Sequence, residues 1–164
     1  MNSEKSKILI AYFSHSGNTR TIAEEIRKNV GGDLFEIATI DPYARDYNTV
    51  VDVARREQTA NRRPELTAKV ENLVAYDVIF LGFPNWWGTM PMAVFTFLGQ
   101  SDFSGKRILP FCTHEGSGMG RSESDIQKLC PGATVLKGFA VRGSHVHAAR
   151  VEIADWLRQT GMGG

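Results

Sequence analysis

Residues 8–19 read ILIAYFSHSGNT, and this stretch decides the fold. Ile8 to Phe13 is an unbroken apolar run, the pattern of a strand buried on both faces, as in a parallel sheet. Ser14 to Thr19 then places hydroxyls, an asparagine and a glycine ahead of a helical pattern. In that helix, Thr19 to Val30, Ile22, Ile26 and Val30 share one stripe, and Gly31-Gly32 ends it.

Moving outward, the alternation repeats. Further strands are expected over Asp33 to Thr39, Val78 to Phe83, Ile108 to Thr113 and Thr134 to Val141, the last with a candidate break at Gly138. Helical spacing connects them. Val50, Val53, Ala54 and Glu57 mark one helix, and Leu66, Val70 and Leu73 a second. A third is entered through Pro91 and carries Val94, Phe97 and Leu98. Ile126 and Leu129 lie on a fourth, and Val146, Ala149, Ile153, Trp156 and Leu157 on a terminal one. Five strand–helix alternations call for a parallel sheet covered on both faces. Pro110 dissents, because a proline inside a strand removes a ladder hydrogen bond; it marks a strand end or a bulge.

The 164 residues are expected to form one domain, 1–164. Apolar residues at 42% and charged residues at 23% belong to a globular chain rather than a disordered one. A net charge of +1 argues against a nucleic-acid binder working through bulk charge. Val78 to Phe83, as long as any apolar run in the chain, is too short to cross a bilayer, so no membrane role is expected. Met1 to Lys7 is polar and runs straight into the first strand, so no signal peptide is expected. Cys112 and Cys130 form no disulfide framework, and a reduced cytoplasmic protein is the natural reading.

In an open parallel sheet, ligands bind beyond the carboxyl ends of the strands, at the point where strand order reverses. The loops to read are therefore Ser14 to Thr19, Pro84 to Met90 and His114 to Gly120. The first combines a helix N-terminus with hydroxyl donors and has no lysine, which fits one phosphate monoester better than a triphosphate. Each of its residues alone reads first as a helix cap; the whole string reverses that and favours the anion site. The second holds adjacent tryptophans, Trp86 and Trp87, which point to opposite sides in an extended segment. One can bury while the other offers a flat face to a planar ring. The third has three glycines in five residues, spaced G-x-G-x-G, which is not the dinucleotide fingerprint. Near-motifs elsewhere fall short: Gly99 to Arg107 is no phosphate-binding P-loop, and His145 and His147 lack further metal ligands.

Together these loops resemble those of the flavodoxin family. Ser14-x-Ser16-Gly17-Asn18-Thr19 is similar to the family's phosphate loop for flavin mononucleotide (FMN). Pro84-Asn85-Trp86-Trp87-Gly88 and Thr113-His114-Glu115-Gly116-Ser117-Gly118 resemble the two loops flanking the isoalloxazine ring. Asp46-Tyr47 and Pro64-Glu65-Leu66 are similar to segments of one short flavodoxin-like branch. The resemblance implies an α/β three-layer sandwich with a five-stranded parallel sheet of order 2-1-3-4-5 and helices on both faces. It implies that Ser14, Ser16, Gly17, Asn18 and Thr19 hold the phosphate. Pro84, Asn85, Trp86, Trp87 and Gly88 would line the ring, with Gly88 near N5. Thr113, Glu115, Gly116, Ser117 and Gly118 would face the pyrimidine end, where Glu115 would repel charge at N1. The implied function is one-electron transfer to and from a redox partner protein, a reductase or an acceptor. The alternative is an FMN-dependent NAD(P)H oxidoreductase acting on quinone, nitro or azo compounds.

Many flavodoxins are strongly acidic and this chain is not. Arg55-Arg56 and Arg62-Arg63 lie in a long connection between the second and third strands, with Tyr43 and Tyr47. That connection either covers the flavin or a substrate pocket, or is a solvated helix.

Overall fold

The computed structural model describes residues 7–162; the polar stretch 1–6 lies outside them. The elements in order are β1 (Ile8–Tyr12), α1 (Asn18–Val30), β2 (Asp33–Glu36), α2 (Tyr47–Thr59), β3 (Val78–Pro84), α3 (Met92–Gly99), β4 (Arg107–His114), α4 (Ser122–Leu129), β5 (Thr134–Val135), β6 (Phe139–Arg142) and α5 (Arg150–Gln159). All pairings between these strands are parallel, in the order β2-β1-β3-β4-β5, with β6 also paired to β4.

Strand alternation divides the core into two. Leu9, Ala11, Ile79, Leu81, Phe83, Ile108 and Cys112 point to one face, where Phe97 and Leu98 of α3 and Ile126 of α4 cover them. Ile10, Tyr12, Val78, Phe80, Leu109 and Phe111 point to the other, against Ile22 and Ile26 of α1 and Ile153, Trp156 and Leu157 of α5. The unbroken apolar runs of β1, β3 and β4 follow from burial on both faces.

The expected fifth strand is two short ones sharing one edge position, and Pro110 explains the break. The carbonyl of Ile108 accepts from Leu136 N–H at 2.9 Å. Alternate residues of a strand face the same neighbour, so Pro110, two residues on, also faces this edge. Pairing with β4 stops after Val135 and resumes at Phe139. The nitrogen that has no hydrogen therefore lies opposite the gap. The freed Gly138 N–H donates instead to Glu123 Oε2 of α4 at 2.9 Å.

The helix expected around Leu66, Val70 and Leu73 is absent. The segment runs as an irregular strap, with one 3-10 turn at Leu73–Ala75. Leu66 forms an antiparallel bridge with Thr39, backed by hydrogen bonds Ile40 N–H to Glu65 O and Thr67 N–H to Ala38 O. The three apolar residues still pack on the α3–α4 side of the core. The left-handed backbone of Asn72 (φ 56°) stops any helical run before Leu73.

Candidate functional site

At the carboxyl ends of β1, β3 and β4, three loops and α2 enclose a cavity of about 600 Å³. The polar end is built by the β1–α1 loop. Ser14 Oγ accepts the N–H groups of Gly17 (3.1 Å) and Arg20 (3.3 Å), and Gly17 caps α1 in a left-handed conformation. The Ser14 hydroxyl thus shapes the loop, whereas Ser16 and Asn18 line the cavity. Thr19 is buried, its Oγ1 2.8 Å from Thr113 Oγ1, which ties the start of α1 to the end of β4. The positive end of the α1 dipole lies at this end of the cavity.

The other end is aromatic. Trp86 is half-buried and meets Phe13, Tyr43 and His15 edge-on, at centroid separations of 5.3, 5.1 and 5.9 Å. Tyr43 donates to Glu57 at 2.5 Å; burial, then the Glu57 carboxylate, raises the pKa of its phenol. His15 Nε2 lies 2.7 Å from Ala44 O. Trp86 therefore fastens the long connection to the sheet. Trp87 is 41% exposed and lines the cavity.

Trp87 and Gly88 are the two central residues of a tight turn closed by Thr89 N–H to Trp86 O at 3.4 Å, with Trp86 N–H to Thr89 O at 2.8 Å beside it. Both have positive φ, 57° and 87°, the signature of a type I′ turn. A tryptophan there is strained by about 1 kcal/mol. The surroundings hold it. Trp87 Nε1 donates to Val51 O of α2 at 2.9 Å, and the Arg55 guanidinium lies 4.6 Å over the indole. Gln58 reaches the carbonyl of Trp87 at 3.3 Å.

The β3–α3 and β4–α4 loops are joined as one unit. Asn85 donates to Gly118 O at 2.8 Å and accepts Gly88 N–H at 2.9 Å, and Arg121 N–H donates to Gly88 O at 2.8 Å. A Cβ at Gly120 would lie 2.2 Å from Gly88 O, so only glycine fits this crossing.

Helix α2 roofs the cavity with Tyr47, Val50, Val51 and Ala54. Asp46 caps it, accepting from Thr49 N–H and Oγ1, and these bonds lower the pKa of the Asp46 carboxyl. The long connection thus contributes one wall of the cavity through α2 and is otherwise largely exposed. Arg55, Arg62 and Arg63 lie on its exposed side, with Arg63 over the Phe95 ring.

Of the residues expected from sequence, Ser16, Asn18, Pro84, Asn85, Trp86, Trp87, Thr113 and Glu115 line the cavity together. Ser14, Gly17, Thr19, Gly88, Gly116, Ser117 and Gly118 are not in its lining; the interactions above make Ser14, Gly17, Thr19, Gly88 and Gly118 part of the surrounding loop framework. The lining also includes His114, Val50 and Val51, which the sequence reading did not single out as contacts. His145, away from this site, pairs with Glu152 at 2.7 Å. Among the described residues no helix is long and apolar enough to cross a membrane.

Comparison with known proteins locates these features. A family model described as Flavodoxin matches residues 7–160. The chain is 25% identical to Flavodoxin 1 of Escherichia coli over 157 residues, covering 86% of this chain and 72% of that protein. A crystal structure of a protein from Bacteroides eggerthii superposes with a TM-score of 0.84 at 34% identity, covering 96% of this chain and 99% of the other. A Lactobacillus acidophilus flavoprotein in complex with FMN superposes with a TM-score of 0.72 at 26% identity, covering 87% and 97%.

Proposed function

The chain belongs to the flavodoxin family, and from that premise we propose that it binds FMN in this cavity and carries electrons one at a time for a redox partner protein. The observation that carries the reading is the two-ended cavity. One end offers neutral donors at a helix N-terminus, the chemistry for a phosphate monoester. The other is lined by indole and aliphatic side chains, the chemistry for a flat ring.

When bound, FMN supplies the electron-accepting ring; the chain binds, orients and tunes it. Ser16, Asn18 and the first turn of α1 hold the phosphate, on a loop shaped by Ser14 and Thr19. Trp87 offers its face to the ring, because Trp86 is engaged edge-on by three other rings. Val50, Val51 and Ala54 exclude water from above. Glu115 brings a carboxylate to the rim beside Asn18 and Gly143, where it disfavours added negative charge on the ring.

One observation favours a second reading. The roof formed by α2 gives the ring slot an apolar wall, which suits a small quinone or nitroaromatic substrate reduced with NAD(P)H. An FMN titration followed by photoreduction and an NAD(P)H-plus-quinone assay decides between them. An accumulating one-electron-reduced flavin and no NAD(P)H oxidation support the carrier. Steady NAD(P)H oxidation without an added reductase supports the enzyme. Failure to bind FMN refutes both.

A further inference from the structure

His114 ends β4 and lines the cavity between Thr113 and Glu115. Its Nδ1 accepts the backbone N–H of Gly116 at 2.9 Å. A ring nitrogen accepts only when it carries no proton, so this bond needs a neutral imidazole with its hydrogen on Nε2. The arrangement is the imidazole counterpart of the turn that Asn and Asp make to an amide two residues on. It bends the chain leaving β4 and sets the course of the loop whose far end Asn85 ties at Gly118.

Two charged groups face the imidazole. Arg142, arriving on β6, donates to Glu115 O at 3.4 Å, and its guanidinium borders Gly116. The Glu115 carboxylate belongs to the loop itself. Burial first and Arg142 second hold the His114 pKa below the usual histidine value, while Glu115 opposes them.

We propose that neutral His114 is the positioning residue of the β4–α4 loop, and that its protonation breaks the Gly116 hydrogen bond and weakens FMN binding. The proposal rests on the FMN reading above. A protonated imidazole turns an N–H toward the Gly116 N–H, leaving two donors face to face beside a guanidinium. The site favours the neutral form, so affinity is full above the ordinary histidine pKa of about 6.5 and falls as pH drops through the lowered one.

The FMN phosphate, with a second pKa of about 6, changes charge in the same range, and a second imidazole, that of His15, lines the same cavity. The variant His114→Asn separates them, because it keeps an acceptor two residues before the amide and does not titrate. FMN dissociation constants are measured by flavin fluorescence from about pH 8 to about pH 5, for both proteins. The wild-type to H114N ratio is expected to rise roughly three- to tenfold toward low pH, the worth of one hydrogen bond. A flat ratio with tight binding overturns the proposal alone. No FMN binding at any pH overturns the proposal and the FMN reading together. A second measurement needs no variant. In amide spectra of the full chain, the Gly116 signal is expected to shift with the same midpoint as the His114 ring. A Gly116 amide indifferent to that titration overturns the proposal whatever FMN does.

Discussion

Replacing Trp87 by Asn separates what the residue does for the turn from what it does for a ligand. Tryptophan at φ 57° is strained, whereas Asn-Gly is the preferred pair for this turn type. Relief of the strain returns about 1 kcal/mol. Against it stand the Nε1 hydrogen bond to Val51, worth about 1 kcal/mol net, and the Arg55 contact, worth about 0.5–1 kcal/mol at an exposed site. The sum predicts a stability change within about 1 kcal/mol, read by urea unfolding without cofactor. Ligand binding behaves differently. Stacking of a flat heterocycle on an aromatic side chain is worth about 1–3 kcal/mol, so FMN affinity falls roughly 5- to 150-fold. Fluorescence titration measures it. A stability loss above about 2.5 kcal/mol would show that Trp87 is a structural plug. An unchanged dissociation constant would refute the stacking role.

Other substitutions test other joints. Trp86→Ala removes the hub of the Phe13, Tyr43 and His15 cluster and is expected to cost about 3 kcal/mol of stability in urea; a loss below about 1 kcal/mol contradicts that packing role. Gly118→Ala and Gly120→Ala both place a side chain at positive φ, but only the second meets a backbone atom, at 2.2 Å. About 1 kcal/mol is expected for the first and 3 kcal/mol or more for the second, and equal losses would refute the crossing. Glu115→Gln is expected to raise the FMN midpoint potentials by roughly tens of millivolts; unchanged potentials in spectroelectrochemistry remove Glu115 as an electrostatic lever. Burial pushes the Cys112 thiol up to about 12 and Cys130 up to about 11, from 9.0. The native state keeps these protons longer than the unfolded chain, so their contribution is whole below pH 9.0 and is lost as pH rises toward 12. Urea midpoints are expected to fall across that range, and less steeply in Cys112→Ala.

The fold was legible because burial on both faces leaves unbroken runs such as Ile8 to Phe13 and Val78 to Phe83. The three loops were legible because a turn serving a ligand needs glycine, hydroxyl and aromatic residues that packing alone does not call for. The strap was not. Leu66, Val70 and Leu73 have helical spacing, but any segment that anchors at intervals on a flat core produces the same spacing. Nor was the roof settled. Val50 and Ala54 make so narrow an apolar face that a solvated helix reads alike; what fixes the helix is Trp87, far away in sequence, which bonds Val51 and Gln58 of α2. His114 was passed over because its part depends on which ring nitrogen faces an amide two residues on.

Pro110 has a reach beyond its own strand. Sliding the edge segment along β4 by two residues would set a carbonyl against a nitrogen with no hydrogen to share. The proline thus works as a phase mark, leaving the last crossover one alignment. That alignment brings β6 out beside His114, pairing it with Arg142, so the guanidinium next to the imidazole is delivered by a residue in mid-strand.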